Sequence, residues 1–351
     1  MAEETFCFDR VEDIVRLSWF ELDHGSVVVA DKSVGAIIDM HAHYAAPMIW
    51  PHRTNHDHEP TITELLLPCC ARHDLDVYAN QNFDKLGLKL LKRKLVLGGF
   101  TGGGSRKTHT APNLARDAAA VGVIHSAVLA IDMGWPSHTV RDTIAVANKR
   151  NDTTAFGSVH PRRRRPKERF EEQLHAGVRG LKLHPQLQQF HPDAPEAMKV
   201  YELCGREQTP VIWHCGPVGI ELKSALPYVQ VPNYERPIKE HPDTPFLLGH
   251  AGALQCDQAI ALQRRYKNVY LEVSSISLSQ MRMVIEEADP DRIVFGTDWP
   301  FYHHACSWRR CWWSPKASPA CAARCCTITP RACCDSKLQP TSNDMAGARA
   351  Q

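Results

Sequence analysis

The stretch GAIIDMHAH (residues 35–43) decides how the rest of the chain is read. It is a short, nearly continuous apolar run, β-branched at Ile37 and Ile38, that ends in two histidines two residues apart. Side chains alternate across a strand, so His41 and His43 project to the same face. Two imidazoles on one face can share a cation, and imidazole suits zinc and its neighbours. A lone His-x-His is a weak signal. Its weight here comes from its place at the end of a buried strand and from the polar ends of the strands downstream.

Seven further runs have the same character: GVIHSAVLAID (122–132), TAFGSVH (154–160), GVRGLKLH (177–184), TPVIWH (209–214), TPFLLGH (244–250), NVYLEVSS (268–275) and DRIVFGTD (291–298). Apolar runs of this density suit strands buried on both faces, as in a parallel sheet. Stretches of helical period separate them, among them 114–121, 138–150, 166–176, 195–207 and 256–266. Strand alternating with helix predicts βα units. Eight such units in about 270 residues predict an α/β fold of the (β/α)8 TIM-barrel type. In such a barrel the C-terminal strand ends form the rim of the active-site face. Here the strands end in His41, His160, His184, His214, His250 and Asp298. One strand-end histidine bonding to its own loop is ordinary; six polar ends on one rim point to a site.

The motifs DMHAH, GLKLHPQLQQF, PVIWHCG, LLGHAG and FGTDWPF, spread over residues 36 to about 302, resemble the amidohydrolase superfamily of metal-dependent TIM barrels. The closer resemblance is to the amidohydrolase-related branch that includes aminocarboxymuconate-semialdehyde decarboxylase, resorcylate-type decarboxylases and hydrolases of lactones and amides. The resemblance implies one divalent metal ion, zinc or alternatively manganese, on His41, His43, His214 and Asp298. It implies His250 as the catalytic or substrate-polarising histidine and Asp298 as general base as well as ligand. A metal in such a set activates water at neutral pH. The expected activity is therefore hydrolysis of a C–N, ester or lactone bond in a small, carboxylated organic substrate. The alternative is non-oxidative decarboxylation, a carboxy-lyase reaction on the same metal site. Lys182 and His184 share a face of strand four. Lys182 could bridge a second metal if carboxylated, bind a substrate carboxylate, or form a buried ion pair; His184 lines the pocket or lies behind it.

Other features exclude more than they identify. The balance of 41 basic against 39 acidic residues gives a net charge of +2, with no case for nucleic acid or membrane as a partner. The basic run PRRRRPKER (161–169) reads as a solvated loop. With no apolar run of membrane length and an acidic start lacking a signal-peptide core, a cytoplasmic enzyme is expected, monomeric or homo-oligomeric. Residues 44–113 read as a long first βα connection. Within it GGFTGGGSR (98–106) is expected to be a flexible loop, and His52, His56 and His58 to be solvated. Cys215 should pack in the core, while Glu272, Trp299 and Phe301 could either shape the pocket or pack.

The expected division is a barrel over 1–302 and an aberrant tail over 303–351. Seven of the thirteen cysteines fall in the last 46 residues, within a segment that has no helical apolar period. Cys and Trp codons begin TG, and reading one base earlier turns each into an NTG codon for Leu, Val or Met. Under that shift residues 312–334 are compatible with a helical string ending DNAARLL, the kind of ending the resemblance leads one to expect. The tail is therefore expected to be a helix read out of frame, the slip falling between His303 and Ser307. An inactive, truncated barrel is the corresponding non-enzymatic reading.

Overall fold

All eight expected strands form, and they pair in chain order. In the computed structural model, which describes residues 6–30, 36–45, 47–49, 52–101 and 103–307, they are β1 (Ile37–Ala42), β2 (Val123–Leu129), β3 (Thr153–Gly157), β4 (Gly180–Leu183), β5 (Val211–His214), β6 (Phe246–Gly249), β7 (Val269–Glu272) and β8 (Ile293–Val294). They make one eight-stranded sheet in which every neighbouring pair is parallel. The sheet curls until its edges meet. Met40 N donates to Phe295 O at 2.9 Å, Asp298 N to His41 O at 2.7 Å and His43 N to Trp299 O at 2.8 Å. Ala42 bridges Trp299 in parallel register, which closes the barrel.

The five helices read from the sequence are present, over Ala111–Ala120, Thr139–Ala147, Pro166–His175, Pro195–Arg206 and Cys256–Arg265. Pro166 and Pro195 open two of them at a position where the missing N–H costs nothing. The helix Leu278–Glu287 starts on a reciprocal cap between Ser277 and Gln280.

Inside the barrel, Ile38, Met40, Ala127, Leu129, Phe156, Ile212, Leu247, Tyr270 and Val294 form an apolar plug, a packed core and not a pore. Strict alternation after Ile38 and Met40 would turn His41 away from this interior. A register shift corrects that: β1 advances from Asp39 to Ala42 while β2 advances only from Ser126 to Val128. The extra residue is a β-bulge, which re-aims the side chains next to it. His41 and Met40 thus both serve the interior, one above the other.

Two expectations in the first connection need correction. The glycine-rich segment is in large part helical: α1 (Lys85–Thr101) runs through Gly98 and Gly99 and buries Leu91. These glycines are kept because other side chains lie against them. A Cβ on Gly98 would lie 3.1 Å from Arg106 Nε, and one on Gly99 would lie 3.3 Å from Met48 Sδ. His52 and His58 are exposed as expected, but His56 is buried, its ring 5.5 Å from that of Tyr44. Burial holds the His56 imidazole below its ordinary pKa.

Before the barrel, a hairpin pairs Phe20–Asp23 with Ser26–Val29. Its turn residues His24 and Gly25 both take positive φ, the geometry that a two-residue hairpin requires. Phe20, Val27 and Val29 pack into the same cluster as Ile37 of β1. After β8 the chain turns into helix at 304–307, with Ala305 and Cys306 buried. The expectation of a frame slip concerns residues 308–351 above all, and these lie outside the described residues. Among the described residues no helix is long and apolar enough to cross a membrane.

Candidate metal centre

The strand ends converge above the apolar plug. His41 Nε2 and His43 Nε2 each lie 3.6 Å from Asp298 Oδ1, and the three side chains form a group whose donor atoms all fall within 4.8 Å of one another. Asp298 takes a left-handed backbone (φ 58°), which sets the turn out of β8. His43 Nδ1 lies 2.8 Å from the Leu129 carbonyl. A carbonyl only accepts, so this bond places the proton on Nδ1 and leaves the Nε2 lone pair facing Asp298. The distances suit a small divalent ion. Ligands at about 2.1 Å in tetrahedral array stand about 3.4 Å apart.

His214 lies beside this group, not within it. Its ring stacks on His184 with centroids 4.0 Å apart, and its Nδ1 is 3.1 Å from His250 Nε2. His214 Nε2 is buried and has no hydrogen-bond partner among the described residues. Such an atom costs free energy unless something fills the position it faces, and a ligand set of imidazoles and carboxylate gives a reason for it. Lys182 sits on the floor with Nζ 3.1 Å from His41 Nε2. His184 lines the cavity and accepts weakly from Leu187 N through Nδ1.

Burial dominates the electrostatics. It holds His41, His184, His214 and His250 well below the ordinary imidazole pKa and His43 down to about 3, with the Lys182 charge adding to the effect at each. All five are neutral imidazoles near pH 7, the form that ligates metal. Burial also pulls the Lys182 amine down to about 8, although Asp298 and Glu272 favour its charge. It pushes the Asp298 carboxyl well up, with Lys182 pulling the other way.

The sequence leaves Glu272 undecided between pocket and packing, and the structure puts it at the centre of the polar network. Its Oε2 lies 2.6 Å from His41 Nδ1 and accepts from His250 N at 3.1 Å and Ser274 Oγ at 3.0 Å; Oε1 accepts from Ser274 N at 2.6 Å. Asp39 is a site residue that sequence reading misses. It is fully buried and accepts from His41 N, Thr297 N and Thr297 Oγ1, tying β1 to the end of β8. Phe301 lines the cavity, whereas Trp299 packs outside it and donates from Nε1 to Asp117 at 3.0 Å. His160 departs from the strand-end pattern. Its strand stops at Gly157, and its ring lies against Gly134, outside the cavity lining. Cys215 is buried in the core, as expected.

The cavity over the centre measures about 420 Å³. Its wall is mostly apolar, with Leu95, Val96 and Phe100 from α1 facing Ile131, Met133 and Trp135. Arg106 also lines it, packed beside Gly98 and Gly99, and burial pulls its pKa down to about 10.

The amidohydrolase family profile matches residues 38–324, most of the chain. The chain belongs to the amidohydrolase family. It is an enzyme of the amidohydrolase type. The match begins in β1 and continues past Asp298 into residues that the structure does not describe. Solved structures share the barrel. An uncharacterized TIM-barrel protein from Bordetella bronchiseptica is 18% identical with a TM-score of 0.59, covering 84% of this amidohydrolase and 96% of its own chain. The 5-carboxyvanillate decarboxylase from Sphingomonas paucimobilis is 14% identical with a TM-score of 0.53, covering 83% and 96%. A Burkholderia multivorans amidohydrolase with bound zinc is 15% identical with a TM-score of 0.53, covering 87% and 100%. At these identities the likeness concerns the fold. No curated protein matches this amidohydrolase.

Proposed function

We propose that this amidohydrolase holds one divalent metal ion, zinc or manganese, on His41, His43 and Asp298 with His214 as the fourth ligand, and hydrolyses a small carboxylated organic substrate. The observation that carries the reading is the convergence of two imidazole Nε2 atoms on one carboxylate oxygen at 3.6 Å under a walled cavity. A divalent ion held there supplies Lewis-acid polarisation to an oxygen in the cavity. The chain's own groups do the rest. Asp298, whose carboxyl is pushed up by burial, is the base that takes the proton of the attacking water. His250, which lines the cavity, is the second proton-handling group. Lys182 on the floor and Arg106 on the wall are cations suited to a substrate carboxylate. A second metal enters only if Lys182 is carboxylated. The apolar part of the wall lowers the local polarity and strengthens each of these interactions.

A second reading, release of carbon dioxide from an aromatic acid on the same site, draws support from the wall. An apolar, ring-sized cavity with cations at Lys182 and Arg106 fits a ring carboxylate as well as it fits a lactone acid. One experiment addresses both. Purified protein is assayed for bound metal, then given a panel of lactones, amides and aromatic carboxylic acids, with carbon dioxide release followed separately. Metal at about one equivalent, with turnover abolished by Asp298→Asn, is the expected result. Protein that carries no metal and gains none from added zinc or manganese would overturn the metal reading and leave the truncated, inactive barrel. The small-molecule class, the metal and a cytoplasmic setting all belong to this proposal.

A further inference from the structure

Three hydrogen-bonded side chains, Ser274, His250 and His214, lead from Glu272 to the His214 nitrogen that has no partner among the described residues, and the single hydroxyl proton of Ser274 sets the direction of the whole chain. Glu272 accepts two backbone N–H groups, from His250 at 3.1 Å and Ser274 at 2.6 Å. It stands as an acceptor, so His41 donates to it from Nδ1 at 2.6 Å, which leaves His41 Nε2 as a lone pair, 3.1 Å from Lys182 Nζ and 3.6 Å from Asp298 Oδ1. Ser274 Oγ is fully buried, 3.0 Å from Glu272 Oε2 and 2.9 Å from His250 Nδ1. A hydroxyl has one proton. Given to the carboxylate, it leaves Oγ to accept from His250 Nδ1–H. His250 Nε2 is then a bare lone pair, which accepts His214 Nδ1–H at 3.1 Å. His214 Nε2 is thereby left as a lone pair, and it is one of the buried atoms with no hydrogen-bond partner among the described residues.

Were the hydroxyl proton given to His250 instead, each link would reverse, and His214 Nε2 would carry a hydrogen unable to ligate a cation. The charge-assisted bond to a carboxylate is the stronger of the two choices. We propose that Ser274 is a positioning residue: oriented by Glu272, its hydroxyl fixes the tautomers of His250 and His214 so that His214, like His41 and His43, carries its lone pair on Nε2. Carboxylates that orient ligand histidines are a recurring device; here one carboxylate orients His41 directly and His214 through two intermediaries. The tautomer assignment stands on hydrogen bonding alone, whereas its consequence for metal affinity rests on the proposed metal site.

The test uses the full chain, metal-free, with 15N-labelled histidine. Long-range 15N–1H spectra assign the tautomers of His41, His214 and His250, and zinc affinity is measured by competition with a chelator. In the parent protein, His41, His250 and His214 should all be Nδ1–H. In Ser274→Ala, His41 should keep its tautomer, while His250 and His214 become mixtures with Nε2–H forms. Zinc affinity should fall about 10-fold or more. Ser274→Thr, which keeps the hydroxyl, should restore both readouts. Should Ser274→Ala fold poorly, the parent spectrum still decides: His214 or His250 as Nε2–H overturns the relay. Unchanged tautomers in Ser274→Ala overturn it as well. Tautomers that shift in a protein that binds no zinc would uphold the relay and refute the metal reading, so the two failures are distinguishable.

Discussion

Gly296 offers the sharpest test of how the centre is built. Replacing it with alanine adds one methyl group to the inner face of β8, between the strand's end and Asp298. A Cβ there would lie 2.1 Å from Glu272 Oε1 and 2.8 Å from both Glu272 Cδ and His41 Cβ. Favourable separations between such atoms are about 3.5 Å, so the carboxylate has to retreat by more than about 1 Å. It has nowhere to go without loss. It accepts at 2.6 to 3.1 Å from His41 Nδ1, His250 N, Ser274 N and Ser274 Oγ, all in a buried setting. Overfilling a packed core costs about 1–3 kcal/mol. Two of the four bonds broken add about 1 kcal/mol each, and more where a buried donor is left unpaired. The expected total is about 3–6 kcal/mol, or a fall in Tm of roughly 5–10 °C for a domain of about 300 residues.

Gly25→Ala serves as the control. Gly25 has φ +82° with nothing within 4 Å, so the substitution meets backbone strain but no clash. Its cost should be about 1 kcal/mol, or about 1–2 °C. Melting curves of the two variants beside the parent measure the difference. A Gly296→Ala protein that melts within about 2 °C of the parent would refute both the packing argument and the placement of Glu272.

Other consequences can be checked separately. Arg106→Gln should weaken binding of a substituted benzoate by about 10- to 100-fold in calorimetry, the worth of a charge-assisted bond; unchanged affinity would remove Arg106 from the carboxylate site. Among the described cysteines, Cys70 is exposed, whereas Cys204 and Cys215 are buried with thiols pushed far up by burial. Alkylation of native protein near pH 8 should label Cys70 and spare those two, as peptide mass analysis would show. Arg53 holds Asp142 through two bonds of 2.7 and 2.9 Å. Burial alone would raise the Asp142 carboxyl, but the Arg53 bonds and charge outweigh it and leave it below the ordinary value. A depressed carboxylate stabilises above its unfolded pKa and loses that contribution as pH falls through the folded one. Arg53→Gln should therefore destabilise the fold slightly at pH 7, the guanidinium being largely exposed, and the difference should shrink as pH falls through the folded Asp142 pKa; a pH-independent difference would contradict it. The coding DNA across codons 303–307 should show a one-base slip, and the frame-restored chain should melt higher; an in-frame sequence would end that explanation of the tail.

The barrel and most of its rim were legible because their signals are local. A buried strand that ends in histidine can be read from six or seven consecutive residues, and this gave β1, β4, β5 and β6 with His41, His184, His214 and His250 in place. His160 shows the limit of the same rule. Its run looks alike, but the strand stops at Gly157 and the histidine turns outward onto Gly134. The helix α1 is hidden for another reason. Gly98 and Gly99 lower helix propensity, and only the packing of Arg106 and Met48 onto them shows why they are tolerated.

Glu272 could not have been read locally at all. In YLEVSS it is one inward position of an alternating strand, and its partner His41 is 231 residues away. Yet a trace of it lies in another motif. Val294 ends β8, Gly296 and Asp298 follow at alternate positions in the segment that leaves it, and the middle one has no side chain. On the inner face of a barrel, where layers of side chains must fill the space, a glycine marks volume that a residue from elsewhere has taken. Here that residue is Glu272, and the two positions specify each other. The carboxylate needs the glycine for room, and the glycine leaves a void without the carboxylate. The double variant Gly296→Ala with Glu272→Ala should accordingly cost less than the sum of its parts, because the added methyl no longer meets an oxygen 2.1 Å away. Strict additivity of the two melting shifts would mean that FGTD keeps its glycine for the backbone alone.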